Sequence, residues 1–151
     1  DAIEMKKEGE VKDGMDISLT SITQLNEEDF VIHWAGANNP LWYVLGSAPG
    51  TINEIKANKQ PIGKYAEQTP FTTHELNLKK GDSLYMYTDG YADQFGGAKG
   101  KKFKYKQLEQ LLLANVKLPL PDQQQLLDEQ FTGWRGNLEQ VDDVCIIGIR
   151  L

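Results

Sequence analysis

Three acidic residues stand where apolar runs meet turns. Asp89 closes "SLYMYTD" (83–89), and Asp142 and Asp143 open "VDDVCIIGIRL" (141–151). A buried, unpaired carboxylate costs several kcal/mol, so a folded chain rarely keeps one without a partner. Three partners would serve: a basic side chain, backbone N–H groups at a turn, or a metal ion. Asp89 sits in "TDGY", and Asp-Gly is a common turn pair, so capping that turn is the plain alternative to metal binding. For the second pair the plain alternative is surface punctuation at the start of a strand, and it suits Asp143 better than Asp142. Taken together, carboxylates at the ends of separate core strands, with one Cys and two His in the chain, favour a hard oxygen site for Mg²⁺ or Mn²⁺ over zinc.

The elements that must position these acids can be read from periodicity. Residues 14–22 alternate Met15, Ile17, Leu19 and Ser21 against Asp16, Ser18, Thr20 and Ile22. Residues 29–37 set Phe30, Ile32 and Trp34 on one face. With the polar "TQLNEED" between them, the two segments predict an antiparallel hairpin. Further strands are expected at 41–45, 52–57, 73–78 and 83–89, with a long loop at 58–70 and a tight turn at "KKGD" (79–82). Leucines at helical spacing predict helices over 107–116 and 121–134, the second punctuated by Pro121 and by Gly133 and Gly136. After Asp143 the chain is apolar almost without a break, which suits a closing strand covered on both faces. The order of elements is α+β, without repeats or an evident domain boundary.

The bulk numbers agree with one domain. The chain has 151 residues, 40% hydrophobic and 25% charged, with a net charge of −6. That balance argues against a nucleic-acid surface, which needs clustered cations. No apolar run approaches the ~20 residues of a membrane span, so no membrane contact is expected of this segment. Cys145 is the only cysteine, so no internal disulfide can form and a cytoplasmic, reducing setting is expected. The chain opens on "DAIEMKKEGE", and Ala2, Ile3 and Met5 read as the tail of an interrupted helix.

Other chemistry is poorly supported. "DGYADQFGG" places Tyr91 where a calcium loop needs Asp or Asn, and "GGAKGKK" is too short for a phosphate-binding loop and lacks the Ser or Thr after its lysine. The lysines of 99–106 read as a solvated loop or a contact for a charged partner. His33 and His74 have no acidic partner nearby in sequence and are assigned to packing, Cys145 to an inert place inside its strand, and the three tryptophans to the core.

The order "DGMDISL", "WAGANNPLWYV", "QPIGKY", "LKKGDSLYMYTDGYADQFGG" and "LEQVDDVCIIGIR" resembles the C-terminal half of SpoIIE-like phosphatase domains, a bacterial branch of the metal-dependent (PPM, type 2C) serine/threonine phosphatases. The likeness runs from about Asp13 to Leu151. It implies a pair of packed antiparallel sheets flanked by helices, with Asp89 and Asp142 as metal ligands, Asp143 at best supporting those ligands from behind, and no catalytic side chain beyond the ligands. It also implies hydrolysis of phosphoserine or phosphothreonine by metal-activated water, with two Mn²⁺ or Mg²⁺ ions per complete site. The implied substrate is a phosphorylated regulatory protein in bacterial signalling, such as an anti-sigma-factor antagonist, and the implied neighbours are sensory or repeat domains elsewhere in a parent chain.

Two family motifs, one resembling "GGDFYD" and one resembling "GDVSGHG", do not occur here, and the metal-bridging aspartate belongs to the second. Residues 1–151 are therefore expected to be the C-terminal portion of one domain, lacking its N-terminal strands and helices. Two carboxylates balance one divalent cation, so metal binding by this chain alone should be weak or absent, and phosphatase activity with it. Apolar sheet surface should lie uncovered, and a homodimer could form through it. The rival reading is a non-catalytic interaction module, in which the 60–70 and 99–106 loops bind a partner and the aspartates serve only as turn residues.

Overall fold

The computed structural model describes residues 14–63 and 69–151. The helix tail expected at Ala2, Ile3 and Met5 and the middle of the 58–70 loop lie outside them. In chain order the elements are β1 (Gly14–Met15), β2 (Ile17–Gln24), β3 (Asp29–Ala37), β4 (Leu41–Val44), β5 (Asn53–Ile55), β6 (Ile62–Gly63), β7 (His74–Lys79) and β8 (Ser83–Tyr87). There follow α1 (Gly90–Asp93), β9 (Phe95–Gly96), β10 (Lys101–Lys102), α2 (Tyr105–Asn115), α3 (Leu120–Arg135) and β11 (Ile146–Arg150).

The expected hairpin forms between β2 and β3, in register from Ile17↔Ala37 to Gln24↔Phe30. Its turn is set by Asn26, whose side-chain oxygen accepts from the N–H groups of Glu28 and Asp29 at 2.8 and 2.9 Å. β7 pairs along the other side of β3, giving a sheet of order β2-β3-β7, and a second sheet runs β11-β8-β4-β5. Ile32, Trp34 and Leu78 of the first sheet pack on Leu41, Leu84 and Met86 of the second. The opposite face of the second sheet carries Trp42, Val44, Tyr85 and Tyr87, which meet Leu108, Leu112 and Phe131 of α2 and α3. The second sheet is thus the middle of three layers, which is why all five residues of β8 are buried. Each large side chain enclosed this way contributes on the order of 1.5–3 kcal/mol.

β2 sits less conventionally. Thr20 and Ile22 lie opposite Trp34 and Ile32 and share their inward face, and Ser18 and Thr20 spend their hydroxyls on Trp34 Nε1–H and Met86 Sδ. That turns Leu19 outward, 63% exposed. β11 also departs from expectation. It pairs only with β8, as an edge strand, and Ile147 is 49% exposed. Both faces are partly covered, with Ile146 packed toward the helices and Ile149 toward the first sheet, but among the described residues no strand pairs with its outer edge. Cys145 precedes the strand and is exposed, not enclosed within it.

The tight turn into β8 is built on a buried carboxylate. Gly81 takes φ +90°, a backbone state that favours glycine. Asp82, buried, accepts from Gly46 N–H at 2.7 Å through one oxygen and from Lys79 N–H at 2.8 Å through the other. Asp82→Ala would strand both donors. It is expected to lower unfolding stability by about 3 kcal/mol, read as a fall in the urea midpoint at unchanged slope. His33 does find an acid, Glu75, at 3.1 Å across the β3–β7 pair, while the His74 ring packs 5.7 Å from Trp34. Among the described residues no helix is long and apolar enough to cross a membrane.

Candidate metal centre

β8 ends at Tyr87, and the next residue ties two distant parts of the chain together. Thr88 N–H donates to the carbonyl of Cys145 at 3.0 Å, and its hydroxyl donates to the carbonyl of Asp143 at 2.9 Å. The same hydroxyl oxygen accepts from Cys145 N–H at 3.0 Å. Asp89 therefore leaves the sheet beside the segment that carries Asp142 and Asp143. Gly90 closes the approach: a Cβ there would lie 2.4 Å from the Asp143 carbonyl oxygen. Only a residue without a side chain fits that contact.

Asp89 is exposed and occupies the N-cap position of the one-turn helix α1, yet its side chain makes no capping hydrogen bond. The turn-capping alternative therefore does not account for its carboxylate. Asp142, also exposed, accepts from Asp143 N–H at 2.7 Å through one oxygen. The described ion pairs are His33–Glu75, Lys79–Asp29 and Lys102–Asp93, so among the described residues Asp89, Asp142 and Asp143 have no basic counterpart. The charge of Asp89 is felt next door. The Tyr105 phenol is pushed above the ordinary tyrosine range, first by burial and then by Asp89 and Asp93.

Unpaired, exposed carboxylates suit Mg²⁺ or Mn²⁺ in ligand type. They do not amount to a full set: among the described residues no group of three or more His, Cys, Asp or Glu is arranged to hold a metal ion. The two aspartates match part of a hard-oxygen shell, with the remaining positions left to water or to groups outside these residues. Thr88 and Gly90 stood inside the quoted "YTDG" but were legible only as turn residues, because a long-range clasp and a close backbone approach have no sequence period.

Two further features frame the rim. The stretch expected to be a solvated lysine loop is a small hairpin, β9 paired with β10. Lys104, which follows it at the N-cap of α2, has φ 75° and ψ 147°, close to a region used almost only by glycine and costing on the order of 1–3 kcal/mol. Elsewhere, a wide cleft of about 920 Å³ opens between α3 and β11, lined by Tyr91, Leu127, Phe131 and Ile146 among others. Its lining, which also carries Gln123, Asp128, Thr132, Arg135 and Gln140, does not include Asp89, Asp142 or Asp143.

The family model for stage II sporulation protein E (SpoIIE) matches residues 7–151. Among solved structures, the SiaA-PP2C domain of Pseudomonas aeruginosa is similar at TM-score 0.71 and 26% identity, over 82% of this chain and 50% of that one. The phosphatase domain of the cell fate determinant SpoIIE from Bacillus subtilis follows at TM-score 0.60 and 16% identity, over 89% and 57%. PppA, a key regulatory component of T6SS in Pseudomonas aeruginosa, gives TM-score 0.52 and 14% identity, again over 89% and 57%. The last two likenesses speak to the fold alone. The chain spans about half the length of these solved chains, and no curated protein sequence matches it.

Proposed function

The chain belongs to the stage II sporulation protein E (SpoIIE) family, and from that premise we propose that it is the C-terminal portion of a metal-dependent protein serine/threonine phosphatase domain. The observation that carries the reading is the Thr88 clasp, which holds the Asp89 turn against the Asp142–Asp143 segment. In the proposal Asp89 and Asp142 hold Mn²⁺ or Mg²⁺, and Asp143 serves the site through its backbone carbonyl. The bound ions supply Lewis acidity for the attack of water on phosphorus. The chain's own part is to concentrate negative charge at one rim and to keep the acids in place by fixed backbone contacts. No side-chain nucleophile is called for.

The substrate proposed is a phosphoserine or phosphothreonine on a regulatory protein of a signalling pathway, such as an anti-sigma-factor antagonist. The rest of the parent domain would supply the missing acidic ligands and cover the outward Leu19 of β2 and Ile147 of β11. Without it, this chain is proposed to bind metal feebly and to release no phosphate. The testing experiment is Mn²⁺-dependent phosphate release by the intact domain, with and without Asp89→Asn and Asp142→Asn. Loss in both variants supports the assignment, and turnover retained in both removes it in favour of a non-catalytic interaction module.

A further inference from the structure

Five lysines, Lys99, Lys101, Lys102, Lys104 and Lys106, fall within eight residues of a chain whose net charge is −6. All five are exposed. Lys102 pairs with Asp93 at 3.0 Å, and among the described residues the other four have no acidic partner. A solvated loop could carry such charge without consequence, but this segment is held rigidly. Phe103 is buried edge-to-face against Tyr91 and Trp134, with centroids 5.1 and 5.3 Å away. Phe103 N–H donates to the Gln94 carbonyl at 3.0 Å and Lys104 N–H to the Ala92 carbonyl at 2.7 Å. A Cβ on Gly96 would lie 1.9 Å from the Trp134 carbonyl oxygen, so the hairpin is seated directly on α3.

The placement of the charge works against the chain's own stability. Lys104 holds a backbone state that glycine would occupy without strain. Lys104 and Lys106 also stand at the start of α2, whose first turn has no acidic residue and whose dipole disfavours cations. The lysine face is tied to the Asp89 end of the sheet at two points. Lys102 pairs with Asp93, one helical turn after Asp89 in α1, and Tyr105, 43% exposed between Lys104 and Lys106, packs its ring 5.8 Å from Tyr87 at the end of β8.

We propose that this lysine face docks an acidic stretch of the protein partner whose phosphorylated residue enters the Asp89–Asp142 rim. The proposal rests on the phosphatase reading for that rim. It names a substrate feature, acidic flanks beside the phosphoserine or phosphothreonine, that the rim itself does not specify. Complementary charge accelerates encounter and fixes register, and here it reverses the repulsion an acidic partner meets from the rest of the surface. A nucleic acid or an anionic membrane would face the same net −6 without a phosphorylated side chain to place.

The test uses this 151-residue chain and fluorescent phosphoserine peptides of one length, with Asp/Glu-rich or neutral flanks, read by anisotropy at low and physiological salt. The acidic peptide is expected to bind about 10-fold tighter than the neutral one at low salt, with the margin shrinking as salt rises. Lys99→Ser with Lys101→Ser should remove most of that margin. Lys104→Gly should weaken binding while the melting temperature stays level or rises, which separates docking from folding. Equal binding of the two peptides, or an undiminished margin in the lysine variants, overturns the proposal. So does tighter binding of a short single-stranded RNA or of phosphatidylserine vesicles than of the acidic peptide. The margin should persist in Asp89→Asn, so failure of the catalytic reading leaves this result separately visible.

Discussion

The Asp89→Asn variant of the intact domain is expected to release phosphate from its phosphoprotein on the order of 100-fold more slowly than wild type in Mn²⁺. Asn keeps the shape of the side chain but removes the negative charge that the proposed ion needs. The Asp89 carboxylate is exposed and has no hydrogen-bond role at the N-cap of α1, so the urea midpoint should be unchanged. Asp142→Asn should behave alike. The oxygen that accepts from Asp143 N–H has a counterpart in Asn, so the local turn survives while the charge is lost. An activity loss without a stability loss is the signature of a ligand. A parallel loss of both would mean that the acids shape the fold.

Gly90→Ala should have the larger effect on the molecule as a whole. The new Cβ would lie 2.4 Å from the Asp143 carbonyl oxygen, 3.0 Å from its carbon and 3.3 Å from Val144 Cγ2. Two of those atoms are backbone, so no rotamer change relieves the contact, and the two segments must part. A cost of about 3 kcal/mol is expected, read in the urea midpoint, with faster exchange of the Cys145 amide as Thr88 loses its hold on 143–145. Gly133→Ala is the control. Nothing lies within 4 Å of that Cβ inside α3, and alanine should stabilise the helix by about 1 kcal/mol. If Gly90→Ala proves as harmless as the control, the two segments are not held together as described.

Much of this was legible in the sequence. Period-two alternation located the β2–β3 hairpin, and leucine spacing located α2 and α3 to within two residues. The acids stood out as candidates because carboxylates seldom close apolar runs. What escaped reading depended on contacts between residues far apart. The 99–106 stretch looked like a lysine-rich loop because the groups that pin it and its neighbours, Phe103 under Trp134 and the fully buried Gln94, draw their partners from α3 and Glu139. β11 has Ile146 and Ile149 packed on its two faces as its apolar run suggests, but that run could not show that the strand stands at the sheet edge with Ile147 exposed. The faces of β2 were equally opaque, since only the Ser18 and Thr20 hydrogen bonds explain why Leu19 turns outward. His33 and Glu75 meet from 42 residues apart.

The central claim is that Asp89 and Asp142 share a divalent ion. Paramagnetic Mn²⁺ broadens nearby amide resonances even when it binds weakly, so a Mn²⁺ titration of this chain followed by NMR addresses the claim without requiring activity. The account predicts that amides around Asp89 and around Asp142 broaden together along one binding curve, and that Asp89→Asn abolishes the broadening at Asp142. Broadening at Asp142 that follows the same curve in Asp89→Asn as in wild type would contradict it.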